Sequence, residues 1–241
     1  MNNASKKEGA FAIPAEGANL LTEIGRLTLH LAPDGLLQVI NQQGETEAGI
    51  FLMESDLDAL ADIFDPARPR FEIERRWLVD PANAPNLSQI KLSYPKFKAI
   101  RSGILAFDAE AQLAARVRLI GERYLLDLKA GSGISRRESR AIKLSPLTGA
   151  SLLDLCGERV VDKLRFDLDL FELDCFISVR GRPLVDAQER LSVLHVEREF
   201  ESLEEAQTCA APQVFGHTPR EITDDSRRNN LAYALFGPPS D

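Results

Sequence analysis

Histidine, cysteine and tryptophan are scarce in this sequence: three, three and one among 241 residues. The cysteines (Cys156, Cys175, Cys209) are odd in number and form no CxxC pair, which speaks against a disulfide framework and a structural zinc site. They fit a reducing cytoplasm. The histidines (His30, His195, His217) match no metal-binding spacing. Each reads as a surface or packing residue, with His195 expected on the strand face opposite its acidic neighbours. No apolar run approaches the roughly 20 residues of a membrane span. The polar start 1–7 has no apolar stretch after it, so no secretory signal and no membrane partner are expected. Basic charge is in deficit too. The net charge of −8 argues against whole-surface attraction to nucleic acid. Any bound anion must be held by a local basic cluster.

What is present is an ordinary globular balance, 44% hydrophobic and 27% charged. Residues 1–20 read as a flexible lead. Residues 21–65 read as a small β-β-β-α appendage, with Leu27, Leu29 and Leu31 alternating and a helix starting at Ser55. This appendage is a candidate to form a homodimer or to cover an opening. From Phe71 eight strand-like runs follow, at 71–79, 99–107, 113–120, 123–129, 136–144, 160–168, 170–177 and 191–200. Helical patterns lie near 146–156, from Ser202, and over 224–235. The expected class is β-rich α+β, with a β-barrel or strongly curved sheet.

Charges recur at i, i+2 spacing, and such residues share one strand face. Glu72, Glu74 and Arg76 do so, as do Arg116 with Arg118, Arg136 with Glu138 and Arg140, Lys163 with Arg165, Glu172 with Asp174, and Glu197 with Glu199. Lys129 ends a further run. A single such pair reads as the wet face of a sheet. Same-sign pairs on strand after strand do not, because neighbouring like charges repel unless a ligand intervenes. Paired Arg suits phosphate and paired Glu suits a hard divalent cation, so the pattern points to a metal–phosphate site. A closed barrel would turn all these side chains into one lumen.

The ordered series resembles the CYTH superfamily, the triphosphate tunnel metalloenzymes. Glu72-Ile73-Glu74-Arg75-Arg76 resembles its opening ExExK, Arg116-Val117-Arg118 its RxR, Lys129 the lysine of its LxxK strand, and Arg136-Arg137-Glu138 the start of its RxExE. Lys163-Leu164-Arg165 resembles KxR, the run 171–176 its acidic strand, Glu197-Arg198-Glu199 its ExE, and the stretch 221–232 its C-terminal segment. The likeness covers about 71–236. It implies an eight-stranded antiparallel tunnel acting on small-molecule triphosphates or polyphosphate with Mg²⁺ or Mn²⁺. Arg76, Arg116, Arg118, Lys129, Arg136, Lys163 and Arg165 would grip phosphate. Glu72, Glu74, Glu138, Asp174, Glu197 and Glu199 would hold metal, and Lys163 would be the candidate catalytic base. Three departures stand out: Arg76 replaces the family Lys, Ser102-Gly103-Ile104 replaces Gln-Gly-Tyr, and Arg140 stands where a second Glu belongs. If Arg140 enters the tunnel, a weak or inactive polyanion-binding module is the alternative to a triphosphatase. A class IV-like adenylyl cyclase is a third reading.

Overall fold

The computed structural model describes residues 18–21, 27–31, 36–41, 44–51, 56, 71–108, 112–131 and 133–239. Most of the expected lead and nearly all of the expected appendage helix lie outside these residues.

Eight strands close into an antiparallel barrel. In chain order they are β5 (Phe71–Val79), β6 (Phe97–Asp108), β7 (Leu113–Ile120), β8 (Arg123–Ala130), β9 (Ser135–Glu138), β11 (Val160–Leu168), β12 (Phe171–Val179) and β14 (Leu194–Phe200). Around the barrel the order is β5-β9-β8-β7-β6-β11-β12-β14 and back to β5. Strand β9 closes the ring, pairing Glu72 with Arg136 on one side and Lys129 with Glu138 on the other. This is the eight-stranded antiparallel barrel that the CYTH resemblance implies.

The expected run 136–144 is two strands, β9 and β10 (Ile142–Leu144). Ser139 breaks it. Its hydroxyl accepts the Leu128 N–H (2.9 Å), and its own N–H goes to the Leu128 carbonyl. The strand alternation is lost there, and Arg140 falls in the exposed break rather than inside.

Alternation puts charge inside and apolar side chains outside. The outward residues of β6 to β8, including Leu105, Val117, Leu126 and Leu128, are buried beneath helix α2 (Pro146–Leu155). Those of β5, β12 and β14, including Trp77, Leu173, Cys175 and Val196, pack with helix α1 (Leu87–Ser93) and helix α3 (Leu203–Thr208). Asn86 and Gln89 form a capping box that starts α1, a helix the sequence reading missed. The last helix, α4 (Asn230–Phe236), begins at the Asn229 cap, later than expected. No helix among the described residues is long and apolar enough to cross a membrane.

The N-terminal strands β1 (Ala18–Leu21), β2 (Leu27–Leu31), β3 (Leu36–Asn41) and β4 (Thr46–Phe51) form a separate antiparallel sheet, one strand larger than expected. Leu37 buries itself in the same cluster as Leu105 and Leu152. The sheet therefore covers apolar barrel wall. The remaining short strands are β13 (Arg182–Pro183) and β15 (Arg220–Glu221).

Candidate functional site

The lumen holds a cavity of about 120 Å³ that opens to solvent. Eleven of the thirteen residues singled out from the sequence line it: Glu72, Glu74, Arg76, Arg116, Arg118, Lys129, Arg136, Lys163, Arg165, Glu197 and Glu199. Glu138 and Asp174 do not line it and instead hold its cations. Glu138 accepts from Arg116 (3.0 Å) and lies 3.5 Å from Lys129. Asp174 has no exposed surface; it receives Lys163 Nζ and two bonds from Arg165 at 2.7 Å.

A further residue, Asp127, does for β7 what Asp174 does for β11. It is fully buried and pairs with Arg116 (2.8 Å) and Arg118 (2.5 Å). Burial favours its neutral form, but the two guanidiniums hold its pKa below the usual carboxylate value. The sequence signal was there, since Asp127 lies two residues before Lys129 and shares its face.

Most cross-strand neighbours in the lumen are of opposite charge: Arg116 faces Asp127, Glu72 faces Arg136, and Arg165 faces Asp174. Three facing pairs are carboxylate on carboxylate. Glu172 faces Glu197 on one side and Asp167 on the other, and Glu74 faces Glu199. Buried Glu74 carries the cost. Burial and the nearby Glu197 and Glu72 raise its pKa to about 7, although Arg136 (2.6 Å) and Arg76 (3.1 Å) pair with it. Glu197 goes the other way: burial opposes ionisation, but Lys163, Arg165 and Arg76 hold it well below the carboxylate range.

Among the described residues, no three Asp, Glu, His or Cys side chains gather closely enough to hold a metal by themselves. The donor chemistry still fits a hard divalent cation in a narrower way. Mg²⁺ takes one or two protein carboxylates and completes its shell with water and phosphate oxygens. The acid-on-acid pairs around β14 are the carboxylates that would be available to such a cation.

One end of the lumen is apolar and filled. Ile104, Val161, Phe176, Val179 and Val193 form a buried cluster with Tyr233, Ala234 and Leu235 of α4. His195 belongs here, not on the opposite face: positions 195, 197 and 199 share one side of β14. Its Nε2 lies 2.9 Å from the Tyr233 hydroxyl, and burial lowers its pKa to about 3. Arg180 donates to the Leu235 carbonyl and ties down the helix end.

No protein-family model and no curated protein matches the sequence. Solved structures do resemble the fold. The inorganic triphosphatase NE1496 aligns at 26% identity with a TM-score of 0.46, over 70% of this chain and 97% of its own. PH1012 from Pyrococcus horikoshii aligns at 15% identity and 0.38, over 56% and 83%. HpAC1 from Hippeastrum, described as having a dominant triphosphatase activity, aligns at 13% and 0.35, over 57% and 82%.

Proposed function

We propose that this protein hydrolyses a triphosphate, most simply inorganic tripolyphosphate, in the barrel lumen with Mg²⁺ or Mn²⁺. The arrangement of lumenal charge supports this reading. Seven cations (Arg76, Arg116, Arg118, Lys129, Arg136, Lys163, Arg165) line the cavity with four carboxylates (Glu72, Glu74, Glu197, Glu199), and four more carboxylates (Asp127, Glu138, Glu172, Asp174) pair with those cations from the wall behind. A lumen so nearly neutral has little attraction for a bare polyanion. It has much for a polyanion that arrives with divalent cations, because the cation relieves the acid-on-acid pairs while phosphate takes the Arg and Lys side chains.

Arg116, Arg118, Lys129 and Arg136 line one stretch of wall; Lys163 and Arg165 line another. Asp127 holds Arg116 and Arg118, Asp174 holds Lys163 and Arg165, and Glu72 holds Lys129 and Arg136 in place beforehand, so little side-chain freedom is lost on binding. Glu74, Glu197, Glu199 and Glu172 are the candidates to hold the cation. When bound, the cation neutralises charge on the phosphoryl oxygens and fixes their orientation. Lys163 Nζ is already paired with Asp174 and lies 4.0 Å from Glu197, so we assign it to charge stabilisation rather than proton abstraction. An inactive polyanion module was the alternative because Arg140 replaces a family Glu; Arg140 is exposed and adds no charge to the cavity lining, while the carboxylate that it replaces is still missing.

The test is phosphate release from tripolyphosphate, ATP and thiamine triphosphate, with EDTA, Mg²⁺ or Mn²⁺. Metal-dependent release is expected, fastest from tripolyphosphate, with a loss of about 100-fold or more in Lys163→Ala. No release, together with no thermal protection by tripolyphosphate and Mg²⁺, would overturn the reading.

A further inference from the structure

Strand β5 has nine residues and its closing partner β9 only four. Strand β9 pairs with residues 71 to 73, and the Glu74 N–H then reaches the Ile134 carbonyl at 2.9 Å. Beyond that point the β5 edge has a different partner, the C-terminal segment. Glu221 pairs with Trp77, Ile222 N–H donates to the Arg76 carbonyl (2.8 Å), and the Arg76 N–H donates to Thr223 Oγ1 (3.1 Å). The segment thus fills the upper half of the barrel seam, and Thr223, Ser226, Asn229 and Asn230 from it line the cavity.

Arg76 and Arg75 project to opposite faces of β5, yet both grip this one segment. Inside, Arg76 Nη1 donates to the Arg228 carbonyl (2.9 Å) and Nη2 to the Thr223 carbonyl (3.1 Å), while Nε pairs with Glu74 (3.1 Å). Outside, Arg75 makes a two-point bridge to Glu221 (2.9 and 2.6 Å), and Glu221 accepts from the Thr223 hydroxyl (2.8 Å). All three nitrogens of the Arg76 guanidinium are therefore occupied, and only 3% of the residue is exposed.

We infer that Arg76 is a positioning residue: it locks the C-terminal segment into the tunnel wall and does not itself grip phosphate. The planar fork reaches the two carbonyls and the carboxylate from three separate nitrogens. A lysine keeps the charge but offers one ammonium on a flexible stem. The replacement of Lys by Arg in the ExExK-like run is thus a change of job.

The inference rests on the triphosphate reading only for its kinetic arm. Hydrogen–deuterium exchange on the full chain without ligand is the primary test, using Arg76→Lys and Glu221→Ala. Amides of 222–236 are expected to exchange at least tenfold faster in both variants, with β6 to β8 unchanged. In tripolyphosphate hydrolysis both variants are expected to raise KM together, by about the same factor. Unaltered exchange in Arg76→Lys, or kinetics changed by Arg76→Lys but not by Glu221→Ala, would overturn the inference. If Arg76→Lys unfolds, Glu221→Ala carries the exchange test, since that side chain lies outside the lumen. A wild-type protein that releases no phosphate would sink the triphosphate reading and leave the exchange result standing.

Discussion

Glu74 and His195 pull stability in opposite directions as pH changes. Burial, Glu197 and Glu72 raise Glu74 from 4.5 to about 7, so between those values the folded state keeps a proton that the unfolded chain has lost. Stability from this group is fullest below pH 4.5 and is lost as pH rises through 7. Buried His195 is lowered from 6.5 to about 3, so the unfolded chain binds the extra proton there and stability rises with pH across that range. The two effects oppose each other where the windows overlap. Glu74→Gln removes one of them. Its Tm is expected to climb from pH 5 to 6.5 by about 4 °C more than the wild-type Tm does, by scanning calorimetry. Parallel curves would mean that Glu74 is ionised throughout. At this scale the sequence was informative about which residues converge, because i, i+2 spacing decides the face. It could not tell which carboxylates line the cavity and which hold its cations from behind. Glu138 and Asp174 look like Glu74 in the sequence and differ only in their neighbours across the sheet.

Strand boundaries were legible from apolar–charged alternation, and the breaks were not. Ser139 interrupts a run by giving its hydroxyl to the ladder, an event with no signature in periodicity, and Arg140 was misplaced for that reason. Helix α2 offers a second case in which local rules mislead. Gly149 lies within it, and Gly→Ala inside a helix ordinarily stabilises by about 1 kcal/mol. Here a Cβ would sit 2.2 Å from the Tyr124 ring on β8. Gly149→Ala is therefore expected to destabilise, by roughly 1–3 kcal/mol, with the midpoint of urea unfolding as the measurement. A midpoint at or above that of the wild type would mean that the helix can lift from the barrel without cost.

The whole chain is acidic, while its lumen is almost neutral. Tripolyphosphate and Mg²⁺ should therefore stabilise the protein cooperatively. The Tm shift with both is expected to exceed the sum of the shifts with each alone, because each ligand repairs the imbalance that the other creates. Additive shifts would count against joint binding. The eight-strand class and its charged interior could be read from order and spacing alone. Closure could not, since it depends on a four-residue strand and a C-terminal segment finding the same edge of β5 across the chain.

The filled end of the lumen also sets rules of traffic. A tube sealed by Tyr233 and its apolar neighbours is a cul-de-sac, so whatever goes in must back out the way it came. On the triphosphatase reading, a long polyphosphate could not be threaded through and cut along its length; only a terminus could be trimmed. The first product released would have to leave past whatever still occupies the mouth, which makes the order of departure a property of the walls.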